Sequence, residues 1–161
     1  MITPDTRLSE HLTWGEAIHT RHTEFMAEQQ NPPPEVRANL RRAALDAFEP
    51  VRALWRCPVL VNSGYRCPEL NKKIGGSKTS MHMQGLAFDI VPLGIDLHDG
   101  WRRLMYSSIV LDQAIWEYGT WIHIGLAPHG LQPRQQKLAY YVRGERSVVW
   151  KPEDPRFLRV V

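Results

Sequence analysis

The sequence predicts an α+β fold in which a small antiparallel sheet packs against helices from the N-terminal third. Apolar residues recur at helical spacing from residue 35 to residue 55. Later segments alternate or run apolar as strands do, at 58–63, 86–91 and 120–126. The chain has 161 residues, 43% of them hydrophobic, and no internal repeat, so it is long enough to bury one core. We therefore predict a single domain over residues 1–161.

Helices are expected between residues 8 and 56. Thr13-Trp14-Gly15-Glu16 has the form of a capping box, which predicts a short helix from Trp14. The prolines from Pro32 to Pro34 form a rigid connector, and the last of them suits the first turn of the next helix. That helix carries the apolar stripe, and Pro50 is expected to kink it or to split it into two pieces.

Strands dominate the prediction after residue 57, separated by short helices and turns. In order, the expected elements are a buried strand at 58–63, helical turns at 68–73 closed by Gly75-Gly76, a strand at 86–91, a helix from Asp96 to Met105, a strand at 109–117, a strand at 120–126 and an edge strand at 135–142. The predicted domain thus comprises a helical lead-in (8–56), a core that carries the candidate site (57–126) and a C-terminal strand and tail (127–161).

Two histidines and an aspartate occupy positions from which they can share a metal ion. His82 lies seven residues before Asp89, and His123 lies in the predicted strand at 120–126. The two-residue period of a strand places Asp89 and His123 opposite their apolar neighbours. Three such ligands with one open position are typical of catalytic zinc. Non-haem iron enzymes use the same set, but usually on a fold with more strands, so Zn²⁺ is predicted; ordinary surface residues are the alternative.

Glu117 is the candidate general base. If it pairs with Trp121 across the turn Tyr118-Gly119-Thr120, its side chain projects from the same face as His123 and lies diagonal to it. A glutamate there reaches a water molecule beside the metal and can take its proton. The alternative is a glutamate that only caps the hairpin.

Several short motifs agree in order and spacing with one known family. The constellation resembles the M15 group of zinc peptidases, the D-alanyl-D-alanine carboxypeptidases and phage endolysins that cut peptidoglycan stem peptides, whose metal site is shared by the hedgehog signalling domain. The resemblance covers roughly residues 59–126, and the lead-in from Leu8 to Trp55 is similar to phage-type members. The matching motifs are Ser63-Gly64-Tyr65-Arg66, Gly75-Gly76-Ser77, Ser80-Met81-His82, Gly85-Leu86-Ala87-Phe88-Asp89 and Trp121-Ile122-His123.

The resemblance implies a metal site and a base. It assigns His82, Asp89 and His123 to the zinc. Many members place the acidic base three residues before the last histidine, where this chain has Thr120, and a threonine cannot act as the base. Hedgehog-like and some phage-type arrangements have a glutamate six residues before that histidine, as Glu117 is here. We therefore expect Glu117 to be the base.

The resemblance also implies substrate contacts. It gives Arg66 the role of binding a peptide carboxylate or the oxyanion that develops during hydrolysis, since a guanidinium holds either with paired hydrogen bonds. An ordinary salt bridge is the alternative. Ser80 resembles the family's substrate-binding hydroxyl, and Gln84 is near enough in sequence to line the same cleft. Either side chain can instead satisfy local backbone groups.

The expected function is zinc-dependent hydrolysis of peptidoglycan stem peptides at bonds that contain D-Ala, by a phage or prophage endolysin-type enzyme. Both a carboxypeptidase and an endopeptidase activity are compatible with these motifs. The alternative is a non-catalytic module that binds the cell wall, or serves a structural role, and has kept the zinc site.

Charge and hydropathy bound the partners and the location. The net charge of +3 and the pI near 9.0 are mild, and no basic run carries interleaved aromatics, so nucleic acid is not expected. No apolar stretch of about 18 residues and no signal-like N-terminus occur, which predicts no membrane insertion and synthesis in the cytoplasm. The resemblance then implies that the protein acts on the cell wall after release. A monomer is expected, with Cys57 and Cys67 as free thiols, although a disulfide after release stays open.

Overall fold

A computed structural model describes residues 3–157 and confirms the α+β class. Six strands form one sheet in the order β1-β2-β4-β3-β5-β6, and the helices lie mainly before β1 and between β2 and β3. The strands are β1 (Val59–Ser63), β2 (Ala87–Pro92), β3 (Gln113–Glu117), β4 (Trp121–Gly125), β5 (Gln136–Tyr140) and β6 (Val148–Val149).

The helices follow the predicted order, and none in the described part of the chain is long and apolar enough to cross a membrane. The predicted capping box is present: the Thr13 hydroxyl accepts the Glu16 N–H, and the Glu16 carboxylate accepts the Thr13 N–H. The α-helices are α1 (Trp14–Ala17), α2 (Met26–Gln29), α3 (Pro34–Ala43), α4 (Glu49–Trp55), α5 (Pro68–Lys73) and α6 (Leu97–Met105), and 3-10 turns lie at Thr23–Phe25, Met81–Gln84 and Pro155–Phe157.

The disturbance predicted near Pro50 takes the form of a π-helical turn. Residues Ala44–Phe48 form this turn and join α3 directly to α4 without a loop. Pro50 lies in the first turn of α4, where its missing N–H and fixed φ are tolerated. The long helix therefore continues past the proline, with its winding changed just before it.

The sheet is antiparallel except for one pair. Strands β3 and β5 run parallel, because β5 begins at the end of the sheet where β4 finishes and then runs alongside β3. The expectation that β5 is an edge strand is wrong, since β6 pairs with Leu138 and Ala139 of β5. The expectation that β1 is a buried strand is also wrong. Strand β1 is an edge strand with one covered face, because Val61 is buried whereas Leu60 and Asn62 on the opposite face are exposed, Leu60 by 48%.

The main core lies between one face of the sheet and the helices α3, α4 and α6. Phe88 packs edge-on against Phe48 with ring centres 6.1 Å apart, and the Trp55 indole donates to the Gly100 carbonyl. Both Ile122 and Ile124 of β4 are fully buried on this face. The two-residue period then sends the intervening side chains to the opposite face of the sheet, where the candidate site lies.

Candidate metal centre

Two neighbouring strands and one 3-10 turn bring the three predicted ligands together. Asp89 of β2 and His123 of β4 are direct cross-strand partners, so their side chains share a face. His82 lies in the turn Met81–Gln84 just before β2. Gly85 ends that turn with φ of +69°, and a Cβ there would lie 2.6 Å from the Val36 carbonyl oxygen. Glycine is therefore required for the turn to close against α3.

The ligand atoms form a small buried triangle. The Nε2 atom of His82 is 3.2 Å from Oδ1 of Asp89 and 3.1 Å from Nδ1 of His123, and this Nδ1 is 3.0 Å from the same carboxylate oxygen. All three side chains are buried. A tetrahedral zinc with bonds of about 2.1 Å would hold its ligand atoms roughly 3.4 Å apart, so the triangle is close to the size that the ion needs.

The protons of the two imidazoles also fit a cation. His82 Nδ1 lies 2.7 Å from the Gly64 carbonyl, which only accepts, so Nδ1 carries the proton. Burial lowers the pKa of His82, although the negative charge of Asp89 acts against this shift. The lowered pKa favours the neutral ring, which has a lone pair on Nε2. His123 Nε2 is buried and has no hydrogen-bond partner among residues 3–157. With the His123 proton on that atom, three lone pairs converge, an arrangement that a metal ion relieves.

Asp89 carries a negative charge at neutral pH. Burial raises the pKa of its carboxyl, but the neighbouring imidazoles of His82 and His123 lower it by more, and the net shift is well downward. The second oxygen, Oδ2, accepts a 2.5 Å hydrogen bond from Arg66 Nη2. Asp89 therefore offers one oxygen to the candidate metal and is held by the other.

Arg66 lies on the candidate site but is engaged by a neighbouring carboxylate. Besides Asp89, its guanidinium contacts Ser63, whose hydroxyl accepts from Nε at 2.9 Å. Arg66 therefore does form a salt bridge, as the alternative interpretation expected. Its partner is Asp89, a candidate metal ligand, rather than a surface carboxylate. Arg66 thus orients Asp89, and its contact with substrate stays a prediction.

The loop that holds His82 is anchored through Gly64, which belongs to one of the matching motifs, and through Gln29, which the sequence did not single out. Gly64 packs so closely on α1 that a Cβ would lie 2.2 Å from the Ala17 carbonyl oxygen. The buried Gln29 amide donates to the Tyr65 carbonyl and accepts the Cys67 N–H. The helical lead-in therefore positions the carbonyl that fixes the His82 ring. No local pattern predicts this role of Gln29, because its partners in the loop lie 36 and 38 residues away.

The triangle opens onto a cleft of about 900 Å³. Ser80, Gln84 and Glu117 line it together with the three candidate ligands, so the cleft brings the predicted site residues together. Ser77 lines the cleft as well, whereas His129 lies outside the lining and is exposed. The cleft is the space in which a peptide would meet these groups.

The hairpin has the predicted register. Glu117 pairs with Trp121, which puts Glu117 on the same face as His123 and diagonal to it. Burial raises the pKa of the Glu117 carboxyl, and the negative charge of Asp89 adds to the rise. Thr120, at the family's usual base position, is exposed and donates its hydroxyl hydrogen to the Glu117 carbonyl. It therefore stabilises the turn that presents Glu117.

Asp112 fixes one wall of the cleft and was not predicted. Its buried carboxylate accepts from the backbone N–H of Arg134 and from the Arg134 guanidinium. This ties the segment between β4 and β5 to the start of β3. A lone carboxylate within the apolar run 109–115 was the available signal, since a charge in a buried segment needs a partner.

Asp112→Asn is expected to lower the melting temperature at pH 7, and the difference from wild type should shrink at low pH. The hydrogen bond from Arg134 lowers the pKa of Asp112 in the folded state. Its stabilisation is thus present above the unfolded pKa of about 3.9 and is lost as pH falls through the folded value. Because Arg134 is half exposed, we expect the melting temperature to fall by only about 2–4 °C, which corresponds to a loss of about 1 kcal/mol in the free energy of unfolding.

Thermal unfolding of both zinc-free proteins at several pH values from 7 to about 3 measures this difference. Exposed Asp46→Asn serves as the control, with no expected change. A deficit that stays constant down to the lowest pH would assign Asp112 a packing role instead.

A comparison with protein families gives a match that covers most of the chain. The model of the family described as Peptidase M15 matches residues 10–125. The chain belongs to the M15 peptidase family. M15 peptidases are zinc-dependent, so this M15 peptidase is a metallopeptidase whose cofactor is Zn²⁺. The match extends from before α1 to the end of β4 and includes the three candidate ligands and Glu117. No curated protein matches the chain.

Proposed function

We propose that this M15 peptidase hydrolyses D-Ala-containing bonds in peptidoglycan stem peptides, as an endolysin-type enzyme of a phage or prophage. The observation that carries the proposal is the convergence of His82, Asp89 and His123 at 3.0–3.2 Å, with Glu117 in the same cleft. Two imidazoles, one carboxylate and a nearby acid supply what metal-assisted peptide hydrolysis requires. The choice of D-Ala peptides is supported by the motifs around Arg66 and His82.

The proposed mechanism gives each residue one task. His82, Asp89 and His123 would hold the zinc, which when bound polarises the scissile carbonyl and lowers the pKa of a water molecule to roughly 7. Glu117 would accept the proton of the attacking water and return it to the leaving amine. The raised pKa of Glu117 suits this exchange, because a base that must also donate works best when its pKa approaches the working pH.

The remaining residues orient these groups and the substrate. The Gly64 carbonyl holds the His82 ring, and Arg66 holds Asp89, so the ligands are arranged before substrate arrives. Ser80 and Gln84 line the cleft and offer a hydroxyl and an amide to the peptide backbone. A volume of about 900 Å³ supports a substrate of several residues, such as an intact stem peptide, for either carboxypeptidase or endopeptidase cleavage.

Zinc removal tests this proposal. Purified peptidoglycan incubated with the zinc-loaded protein is expected to release peptides with new termini at D-Ala, identified by mass spectrometry. A chelator should abolish the release, and added Zn²⁺ should restore it, because no other group in the proposed mechanism lowers the pKa of the attacking water. Release that survives complete zinc removal would refute the mechanism. A protein that binds zinc and the cell wall but releases nothing would instead be the non-catalytic module.

A further inference from the structure

The cleft continues well beyond the metal centre, across the sheet toward β5. His123 pairs with Ile115 of β3, and Ile115 pairs with Leu138 of β5, so the three side chains form a row on one face. All three line the cleft. Strand spacing of about 4.8 Å places β5 roughly 10 Å from β4, which is about three residues of an extended peptide. A substrate lying along this row therefore reaches β5.

Two tyrosines and an arginine lie at the β5 side of the cleft. Tyr140 pairs with Glu117 across β3 and β5, and its ring centre is 5.8 Å from that of Tyr118. The guanidinium carbon of Arg143 lies 5.4 Å from the centre of the Tyr118 ring. All three residues line the cleft. The arrangement is thus a cation seated on an aromatic ring, one step along the sheet from the candidate base.

Arg143 differs from the other two arginines of the cleft in its partners. Arg66 is paired with Asp89, and Arg134 is paired with Asp112. Within residues 3–157, Arg143 makes no ion pair at 4.0 Å or less. A guanidinium that contacts a ring face in this way spends no N–H group on an ion pair, and its N–H groups match a carboxylate with two parallel hydrogen bonds.

We propose that Arg143 binds a carboxylate of the peptide substrate that lies about three residues from the scissile bond. This inference rests on the proposed function, since it assumes that a peptidoglycan peptide occupies the cleft. The row of Ile115 and Leu138 offers an apolar floor for the intervening residues, and Tyr118 holds the guanidinium in place. Arg143 lies outside residues 10–125, so the family match does not account for it. The subsite would make this chain selective among stem peptides.

The test uses two synthetic pentapeptides, L-Ala-γ-D-Glu-L-Lys-D-Ala-D-Ala, that differ only at the α-carboxyl group of D-Glu. The group is free in one peptide and a carboxamide in the other, and it belongs to the third residue before the D-Ala–D-Ala bond. Steady-state kinetics of the zinc-loaded full chain are measured for wild type, Arg143→Gln, Arg143→Lys and Arg146→Gln. Arg146 is an exposed arginine of the same segment outside the cleft lining, so it is the matched control.

Wild type is expected to have a KM about 10-fold lower for the free carboxylate than for the amide, as a charge-assisted bidentate contact predicts. Arg143→Gln should erase that difference by raising KM for the free peptide alone, and any change in kcat through the charge that Arg143 places near Glu117 should be equal for the two peptides. Arg143→Lys should recover part of it, and Arg146→Gln should behave as wild type.

Two results would overturn the subsite while leaving the peptidase intact. One is equal KM for the two peptides in wild type. The other is a rise in KM of the same size for both peptides in Arg143→Gln, which would mean that Arg143 acts through Glu117 or the surrounding loop. Absence of cleavage of either peptide by zinc-loaded wild type would instead overturn the carboxypeptidase form of the proposed function, and the Arg143 subsite with it.

Discussion

Glu117→Ala is expected to lower kcat for peptide release by about 10²–10⁴ while one zinc ion stays bound. The loss follows because water attack then lacks a base and the departing amine lacks a proton donor. Zinc is retained because Glu117 is not in the triangle of ligand atoms, and its strand β3 is separated from the Asp89 strand β2 by β4. Kinetics with a stem peptide, together with zinc content by elemental mass spectrometry, measure the two effects.

Glu117→Gln sharpens this result. The amide keeps the size of the side chain but cannot accept the proton, so a similar loss is expected if the carboxylate acts as base. Exposed Glu145→Gln is the matched control and should keep full activity. Wild-type kcat in either Glu117 variant would exclude Glu117 as the base and leave its role as part of the hairpin.

Asp89→Asn is expected to lose zinc and activity together. Removing even an outer partner of a metal ligand typically weakens metal binding by about 10–100-fold, so losing a charged ligand should weaken it by more. The substitution also takes the negative charge away from Arg66, which then lacks its carboxylate partner. Zinc affinity, measured by competition with a chromophoric chelator, and peptide release should fall in parallel.

The control for this variant is Asp46→Asn on the exposed side of the π turn. Circular dichroism checks that Asp89→Asn stays folded, because the asparagine has nearly the same shape. A variant that binds one zinc with wild-type affinity would remove Asp89 from the ligand set. Comparing Glu117→Ala with Asp89→Asn distinguishes the base from a metal ligand, since only Asp89→Asn is expected to release the zinc.

Local sequence patterns were enough to predict the helices and strands that carry the candidate site. The capping box at Thr13, the proline at the start of α3, and the strand alternation around Asp89 and His123 were all confirmed. Each depends on residues that are close in sequence, where backbone geometry follows directly from side-chain type and period. The hairpin register at Glu117 was confirmed for the same reason, because a short turn leaves few possible pairings.

Sequence patterns failed where burial depends on what covers an element. The apolar run of β1 predicts a buried strand, yet β1 is an edge whose Leu60 is half exposed. The segment of β5 predicts an edge, yet the two-residue β6 extends the sheet beyond it. Neither outcome is encoded in the strand itself, since the neighbours of a strand are chosen by distant parts of the chain.

The amino-acid sequence by itself determined the fold class, the three candidate ligands, the candidate base and the family. Each of these is expressed in short local motifs, even where the motifs themselves lie far apart, as those of His82 and His123 do at 41 residues. Only the tertiary structure decided that Arg66 holds Asp89, that the Gly64 carbonyl orients His82, and that Arg143 faces the cleft. These pairs lie 23 and 18 residues apart or depend on the fold of a late segment. Their contact is set by strand order and loop packing, which no local pattern of side chains specifies.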